Sequence, residues 1–478
     1  FQLDEENLSE NVRLTHRVID LRRPQMQNNL MLRYKTARAF RRFLDDNGFI
    51  DIETPMLTKS TPEGAREFLV PSRLHEGKMY VLPQSPQQFK QLLMVGGVEK
   101  YYQIARCFRD EDLRADRQPE FTQIDVEMSF VKQDDIMSIA EGLAQAMFQA
   151  ANVSVTLPLK RMTYQDAINL YGSDKPDTRF ELKLIDFTDI MAQSEFKAFQ
   201  SVATSGGIVK GLCVPNTGDF SRKDLDDIRV MTEKWGAKGL AYIVYDAEGL
   251  KSPITKFFKP EEIEAITQRA GATTGCTVFF VADTPQITHT LLGRLRLYFG
   301  ERLNLIDANK HELFWLVDFP LFDANDDGSL ASVNHPFTAP NPEDLDQLDS
   351  NPLAVRALAY DMVYNGQEIG GGSIRIFDRT LQQKVFTLLG LSEEEMHEKF
   401  GFLIDAFEYG VPPHGGLAFG LDRVVTMLCG MTSIRDVIAF PKNNQATCLM
   451  TNAPGEASTK QLDELHIRVK TLAKVTSE

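Results

Sequence analysis

The chain has 478 residues, a formal net charge of −15, 43% hydrophobic residues and 25% charged residues. This balance is typical of a folded, soluble protein of two or three domains and excludes a disordered chain. The acidic total also argues against a surface coated with basic residues, so any contact with a nucleic acid must use local basic patches. No window approaches the ~18 apolar residues of a membrane span, so no membrane contact is expected.

Cysteine usage limits the class of protein further. The five cysteines form no C-x-x-C pair, and their number is odd. Zinc ribbons and disulfide scaffolds are therefore disfavoured, and a reducing compartment such as the cytoplasm fits best.

The first elements are predicted from composition and period. Residues 1–25 are polar and charged and are predicted to form a linker or arm. Apolar residues recur at three- and four-residue steps from Met26 to Asn47, which predicts a helix ending at Asn47-Gly48. A short strand interrupted by proline is expected over Phe49–Leu57.

A charged hairpin is predicted next. Tyr101–Phe108 and Phe121–Phe130 have strand character, and the loop between them, 110–119, is rich in Asp and Arg. With a period of two, Phe121, Gln123 and Asp125 share one face of the second strand.

The loop side of this hairpin suits a nucleotide. Arg109 and Glu111 are two residues apart and point to one side, which the aromatic ring of Phe121 also faces. Arginine can bind a phosphate, glutamate can accept from an exocyclic amine, and phenylalanine can stack on a base. The alternative is a surface ladder of ion pairs, which would not need the phenylalanine.

Residues 180–305 differ in texture from the rest. Short strands such as Ala241–Tyr245 and Thr277–Ala282 alternate with helical stretches, without a dense polar cluster. We expect a separate α+β module that is inserted into the chain.

The glycine-rich segment Gly416–Arg423 predicts a closely packed strand followed by a helix. Arg423 would fall in the first turn of that helix, where a cation opposes the macrodipole. A negatively charged ligand is therefore indicated.

Asn365-Gly366 is a strong signal for a two-residue hairpin turn. If the turn forms, Val363 faces Glu368, and Asp361 lies on the same face as Glu368. Two converging carboxylates suit Mg²⁺. The alternative is a solvated sheet face.

Three segments together resemble a known family. Asn47–Pro55, Phe108–Phe121 and Gly416–Arg423 are similar to motifs 1, 2 and 3 of class II aminoacyl-tRNA synthetases. With Gln84–Gln87 and Lys90, the chain resembles the bacterial-type aspartyl-tRNA synthetases over nearly all of its length. The family's N-terminal OB-fold, which binds the anticodon, has no counterpart, so the chain is expected to begin at the linker after it.

The resemblance implies an α+β fold, a mainly antiparallel sheet flanked by helices with an inserted α+β domain. The expected segments are 1–25 (arm), 26–179 (catalytic domain, motifs 1 and 2), 180–305 (insertion), 306–450 (catalytic domain, motif 3) and 451–478 (tail). Motif 1 implies a homodimer.

The implied reaction has two steps. L-aspartate and ATP give aspartyl-adenylate, and the aspartyl group then moves to tRNA(Asp), with tRNA(Asn) left open as a second substrate. The first step depends on positioning and charge stabilisation more than on covalent catalysis. Mg²⁺ is the implied cofactor and the cytoplasm the implied location.

The resemblance also implies roles for single residues. Arg109 and Arg423 would be catalytic and would hold the α- and γ-phosphates, and Asp361 and Glu368 would hold Mg²⁺. The implied ATP-binding residues are Arg109, Asp110, Glu111, Gln118, Phe121, Glu368, Gly420, Leu421, Asp422 and Arg423.

The amino-acid pocket must recognise an extra carboxylate, for which Lys90 and Arg375 are the expected partners, with Asp125 holding Lys90. Asparagine would leave both cations without a charge partner. Where many relatives carry two adjacent histidines, this chain has Asn334-His335. The implied aspartate-binding residues are Glu63, Ser85, Gln87, Lys90, Arg109, Gln123, Asp125, His335, Ser373 and Arg375.

Three alternatives stay open. An asparaginyl- or lysyl-tRNA synthetase is disfavoured by Lys90, Arg375 and the large insertion. An asparagine synthetase paralogue would be shorter and would lack the insertion. A synthetase-like regulatory protein would show damage among five positions that are intact here, namely Arg109, Glu111, Asp361, Glu368 and Arg423.

Overall fold

The computed structural model describes residues 8–60 and 64–470. The chain divides into two compact units. The first unit comprises Phe1–Pro158, Pro320–Ala359 and Ile369–Glu478, and the second comprises Leu159–Phe319 and Tyr360–Glu368. The second unit is wider than the expected insertion at 180–305, since it also takes in 159–179, 306–319 and 360–368.

The helices in the described residues are distributed over both units. In chain order they are α1 (Glu10–Thr15), α2 (Arg17–Asp20), α3 (Pro24–Asp46), α4 (Gln87–Val95), α5 (Gln133–Ala150), α6 (Tyr164–Tyr171), α7 (Thr188–Gln193), α8 (Lys197–Thr204), α9 (Arg222–Lys234), α10 (Pro260–Ala270), α11 (Pro285–Arg302), α12 (Arg379–Leu388), α13 (Glu393–Ala406), α14 (Leu421–Leu428) and α15 (Thr459–Glu464).

The strands are mostly short. In chain order they are β1 (Ile50–Asp51), β2 (Leu69–Pro71), β3 (Met79–Val81), β4 (Lys100–Phe108), β5 (Glu120–Ser129), β6 (Lys160–Thr163), β7 (Ile185–Asp186), β8 (Ile208–Val214), β9 (Ala241–Asp246), β10 (Gly249–Lys251), β11 (Thr277–Asp283), β12 (Leu313–Val317), β13 (Phe322–Ala324), β14 (Leu330–Ser332), β15 (Ala359–Tyr364), β16 (Gln367–Ile374) and β17 (His414–Gly420).

The main sheet of the first unit has the order β1-β4-β5-β17-β16. Only the β1–β4 pair is parallel. The predicted hairpin is confirmed, because β4 and β5 pair antiparallel with Gln103 opposite Asp125. Helices α3 and α5 pack together, and the ring of Phe40 on α3 lies 5.6 Å from that of Phe419 on β17.

Two predicted elements at the N-terminal side differ from the structure. The expected linker over 1–25 contains α1 and α2, and the buried carboxylate of Asp20 contacts Arg17. The strand expected over Phe49–Leu57 is limited to β1. Pro55 has no backbone N–H to donate to a neighbouring strand, so strand pairing does not extend through it. The helix predicted from Met26 to Asn47 is confirmed as α3, with Gly48 at φ +78° just beyond its end.

The second unit contains a five-stranded antiparallel sheet in the order β10-β9-β11-β8-β7. The strands predicted at Ala241–Tyr245 and Thr277–Ala282 are confirmed as β9 and β11. Its core lies against α9 and α11 and includes Leu212, Phe279 and Phe299. A further group pairs β15 antiparallel and β6 parallel with β12.

Candidate active site

Four charged side chains are buried together in the first unit, and we call them the charge cluster. Lys90 Nζ lies 2.5 Å from Asp125 Oδ1 and 3.3 Å from Glu127 Oε2. Arg375 donates from Nε to Glu127 Oε1 at 3.0 Å and from Nη2 to Oε2 at 3.2 Å. All four side chains are at most 2% exposed. Two cations thus share two carboxylates out of contact with water.

The sheet brings these residues together. Lys90 lies on α4, Asp125 and Glu127 lie two residues apart on one face of β5, and Arg375 directly follows β16. Gly416 of the neighbouring β17 is paired with Glu127. A Cβ at Gly416 would lie 2.1 Å from Glu127 Oε2 and 2.0 Å from Val126 O. Glycine is therefore required there for the carboxylate to reach both cations.

The two carboxylates differ in their electrostatic setting. Burial raises the pKa of Asp125 above its ordinary value, and Lys90 offsets only part of that effect. Burial also opposes the charge of Glu127, but Arg375 and Lys90 outweigh it and lower the pKa of Glu127. Glu127 is therefore the anion that holds the cluster together.

The sequence analysis missed Glu127. The signal was available, because Glu127 continues the alternating face of Phe121, Gln123 and Asp125 by one more step. Its buried partners are separated from it by long stretches of chain, so their contact cannot be derived from local spacing.

The predicted aspartate-binding residues Ser373 and His335 lie against the cluster. Arg375 Nη1 donates to Ser373 Oγ at 2.7 Å and lies 2.5 Å from His335 Nε2. Burial, together with Arg375 and Lys90, holds the pKa of His335 well below its ordinary value. His335 is therefore a neutral ring at neutral pH.

Three more of the predicted aspartate-binding residues lie just before α4, on α4 and on β5, namely Ser85, Gln87 and Gln123. The backbone N–H of Gln87 donates to Ser85 Oγ at 3.3 Å, and Gln87 Nε2 donates to Gln91 Oε1 at 3.1 Å. Gln123 accepts from the thiol of Cys107 at 3.3 Å. Glu63 lies outside the described residues.

The structure also brings Arg109 and Phe121 together. The guanidinium carbon of Arg109 lies 5.2 Å from the centre of the Phe121 ring. Within the described residues, the buried Nε of Arg109 has no hydrogen-bond partner. Glu111, in the same loop, contacts Arg117 at 3.1 Å. A half-buried guanidinium with an unused donor is suited to an anionic ligand.

Arg423 lies at the third position of α14, and Gly420 is the N-cap residue of this helix. This confirms the predicted strand-to-helix transition and the first-turn position of the arginine.

Four predicted ATP-binding residues have protein partners or are enclosed. Asp422 accepts from the N–H of Thr122 at 2.7 Å and from Arg33 at 2.5 Å. Gln118 bonds the backbone of Lys442 through both its amide atoms, and Leu421 is 2% exposed. Backbone groups of Asp110 pair with Arg66. The side-chain contacts of Asp422 and Gln118 hold the start of α14 and the loop in place, while the side chain of Asp110 is exposed. The four residues stay predicted ATP contacts.

The carboxylate pair Asp361 and Glu368 belongs to the second unit. Asn365 and Gly366 have φ angles of +47° and +81°, as a two-residue turn between β15 and β16 requires, so the predicted hairpin is confirmed. Burial and then the negative charge of Glu368 raise the pKa of Asp361 well above its ordinary value. A cation would relieve both effects. In the described part of the chain no group of three or more His, Cys, Asp or Glu could hold a metal ion, so the pair alone would have to supply the protein ligands.

The comparisons with known proteins agree with this geometry. The model of the class II tRNA synthetases specific for D, K and N matches residues 9–444. The chain belongs to this family, which confirms the predicted family and fold class. Among the described helices, none is long and apolar enough to cross a membrane.

Within that family, the similar curated proteins are aspartate–tRNA ligases. The chain is 54% identical to the aspartate–tRNA(Asp/Asn) ligase of Natranaerobius thermophilus. It is 55% identical to the aspartate–tRNA ligase of Bacillus licheniformis and to the aspartate–tRNA(Asp/Asn) ligase of Bacillus subtilis. Each alignment covers 97% of this chain and 79% of the relative.

Solved structures show the same fold at low identity. An asparaginyl-tRNA synthetase of Entamoeba histolytica has a TM-score of 0.53 at 17% identity, covering 92% of this chain and 73% of that one. The asparaginyl-tRNA synthetase of Pyrococcus horikoshii has a TM-score of 0.52 at 18% identity, with the same coverage of both chains.

Proposed function

We propose that the chain is an aspartate–tRNA ligase, which activates L-aspartate with ATP and transfers the aspartyl group to tRNA(Asp). The observation that carries the proposal is the charge cluster, in which two buried cations meet at one point of a chain 54% identical to an aspartate–tRNA(Asp/Asn) ligase. The names of the relatives from Natranaerobius thermophilus and Bacillus subtilis include Asp/Asn, which supports tRNA(Asn) as a second substrate.

On the amino-acid side, the side-chain carboxylate of aspartate binds the Nη1 edge of Arg375 and the ammonium of Lys90. His335 and Ser373 already contact that edge, and the neutral ring of His335 can give way without loss of an ion pair. An asparagine amide would offer one acceptor and place its N–H₂ group against cationic donors. Rejection follows from the donors left unpaired.

On the nucleotide side, Arg109 binds the α-phosphate, Phe121 stacks on adenine and Glu111 accepts from the adenine amine. Arg423 binds the γ-phosphate. An α-carboxylate oxygen of aspartate attacks the α-phosphorus. The bond from that phosphorus to the oxygen bridging the α- and β-phosphates breaks, and pyrophosphate leaves. Arg109, whose Nε is unused in the described structure, stabilises the negative charge that builds up on the phosphoryl oxygens.

Asp361 and Glu368 would hold Mg²⁺, which supplies positive charge against the phosphates when bound. The raised pKa of Asp361 and the proximity of Glu368 support this assignment, because two crowded carboxylates are suited to a hard cation. We also propose that the protein is a homodimer, that it is located in the cytoplasm and that residues 180–305 form an insertion domain.

The test is amino-acid-dependent exchange of pyrophosphate into ATP, measured with aspartate, asparagine and lysine in parallel in the presence of Mg²⁺. Exchange with aspartate alone supports the proposal. Exchange with asparagine or lysine assigns the chain to another specificity of its family, and no exchange by the folded protein favours a regulatory role. Charging of purified tRNA(Asp) and tRNA(Asn) then tests the second step.

The metal assignment has its own test. Asp361→Asn should raise the Mg²⁺ concentration for half-maximal exchange about tenfold, while the KM for aspartate at saturating Mg²⁺ changes little. Asp327→Asn is the matched control, because Asp327 is an exposed aspartate in a turn, bonded to Ser329. An unchanged Mg²⁺ requirement in Asp361→Asn would contradict the assignment.

A further inference from the structure

A chain of buried hydrogen bonds runs from α4 to the start of β17. Gln87 Nε2 donates to Gln91 Oε1 at 3.1 Å, and Gln91 Nε2 lies 3.3 Å from His414 Nε2. His414 Nδ1 lies 2.9 Å from the carbonyl oxygen of Pro412. Gln91 and His414 are fully buried, and Gln87 is 9% exposed. We call Gln91 and His414, with the Pro412 carbonyl, the amide relay.

The direction of every bond in the relay is set from its Pro412 end. A carbonyl oxygen only accepts, so the ring proton of His414 is on Nδ1. The ring is neutral, because burial lowers the pKa of His414. Its Nε2 is therefore an acceptor, and only the N–H₂ group of Gln91 can face it.

The same logic continues to Gln87. With its N–H₂ group towards His414, Gln91 presents its oxygen one helical turn back, where residues four apart lie side by side. That oxygen requires the N–H₂ group of Gln87. The remaining atom of the Gln87 amide, Oε1, therefore faces away from Gln91. Among the described residues, none donates a hydrogen bond to this oxygen.

We propose that Gln91 and His414 are positioning residues that lock the Gln87 amide with its oxygen towards the amino-acid pocket, where it accepts a hydrogen bond from the α-ammonium of the substrate. The inference rests on the proposed function, in which Gln87 contacts bound aspartate. A free amide would populate both orientations, and the flipped one would place N–H₂ against the ammonium. The lock thus replaces a repulsive contact with an attractive one.

The first test is Gln91→Leu, which keeps the volume and removes the relay. We expect the KM for aspartate in pyrophosphate exchange to rise about tenfold, because hydrogen bonds to charged groups are the stronger kind. The KM for ATP should stay unchanged. His414→Leu should behave in the same way, and His414→Gln, which keeps an acceptor towards Gln91, should recover most of the loss.

A substrate analogue separates positioning from general damage to α4. Succinate has both carboxylates of aspartate and no ammonium, so its inhibition constant should be the same in wild type and in Gln91→Leu. Equal weakening of succinate and aspartate would show that α4 is displaced as a whole and would overturn the proposal.

A double-mutant cycle tests the route through Gln87. If the relay acts only through that amide, Gln91→Leu should add no further rise in the aspartate KM to a Gln87→Leu variant. Additive effects would overturn the proposal.

The matched control is Gln88→Leu on the same helix. Gln88 is 4% exposed, and its amide atoms have no partner in the described residues. The KM of the Gln88→Leu variant for aspartate should match that of the wild type. A wild type that exchanges with aspartate, together with a Gln91→Leu variant of unchanged KM, would overturn the relay and leave the proposed function standing. No exchange by wild type would overturn the function itself.

Discussion

The two units bury cations in different ways. In the first unit, Arg375 and Lys90 are paired with the carboxylates of Asp125 and Glu127. In the second unit, Arg296 is 1% exposed and donates to the carbonyl oxygens of Leu182 at 2.7 Å and Phe180 at 2.9 Å. Its guanidinium carbon also lies 3.9 Å from the centre of the Phe180 ring. One unit uses full counter-charges, and the other uses dipoles and a ring face.

The protonation equilibria reflect this difference. Burial lowers the pKa of Arg296 to about 10, and it lowers the pKa of Lys210, which donates to the carbonyl of Asn169. Burial also lowers the pKa of His289 to about 4, with Lys210 adding to the effect and Asp186 opposing it. Carbonyls and rings compensate a buried charge less than carboxylates do. A cation held by carboxylates can exchange partners with an incoming carboxylate, whereas Arg296 is fixed to the backbone and serves the fold.

The variant with the largest expected effect is Arg375→Leu, which removes one cation of the charge cluster in the first unit. We expect aspartate-dependent pyrophosphate exchange to fall by at least about 10³-fold. The variant removes the guanidinium that binds the side-chain carboxylate of the substrate, and it leaves Glu127 with one cation fewer. Equilibrium binding of ATP should persist, which shows that the variant is folded. Retained aspartate turnover would contradict the assignment.

Glu127→Gln tests which anion holds the charge cluster. The amide keeps the shape but leaves Lys90 and Arg375 with Asp125 alone. The first unit should lose about 4 kcal/mol of unfolding free energy, the typical cost of breaking a buried pair. Calorimetry of the whole chain should show this loss as a lower melting temperature for the transition of the first unit. The exposed ion pair of Glu343 with Arg356 provides a control, because Glu343→Gln should change the same transition by less than about 1 kcal/mol.

Arg296→Met tests the opposite arrangement. It leaves two carbonyl oxygens without their donor, so the second unit should lose about 3 kcal/mol of unfolding free energy. Both tryptophans, Trp235 and Trp315, lie in the second unit, so their fluorescence in a urea titration reports that loss. The KM for aspartate should not change. A raised KM would mean that Arg296 serves the site as well as the fold.

His289→Phe gives the smallest effect, and it depends on pH. The folded ring takes up a proton only near its pKa of about 4, whereas the unfolded chain does so near 6.5. Stability is therefore complete above about pH 6.5 and falls as the pH drops towards 4. Between pH 7 and pH 5 the wild type should lose about 2 kcal/mol through this residue. Urea unfolding followed by tryptophan fluorescence should show that His289→Phe loses less unfolding free energy than the wild type between pH 7 and pH 5. The same pH dependence in both proteins would contradict the prediction.

Local pattern was enough to predict much of the fold. The period of α3, the alternation of β5 and the Asn365-Gly366 turn each depend on neighbours in sequence, and each is confirmed. The predicted arm contains two helices that its sequence did not indicate. Its polar sequence forms α1 and α2 because Asp20 is enclosed by Arg17, Arg13 and Arg23, and the sequence alone does not indicate that packing.

The candidate site was predicted only in part, because several of its contacts join residues that are far apart in the sequence. Lys90 with Asp125 and Arg109 with Phe121 are brought together as expected. Glu127 and His414 were missed, because their roles depend on partners more than 240 residues away in the chain. Asp422 was assigned to the nucleotide from its motif alone, and its contacts with Arg33 and Thr122 appear only in the folded structure.

The 248 residues that separate Glu127 from Arg375 have a consequence for biosynthesis. At a translation rate of about 5–20 residues per second, Glu127 leaves the ribosome roughly 12–50 s before its partner does. During that interval, burying the carboxylate would cost several kcal/mol. Lys90, which contacts Glu127 in the folded chain, has already been synthesised by then, but Arg375 has not. We therefore expect the centre of the nascent β4–β5 hairpin to stay hydrated until Arg375 follows.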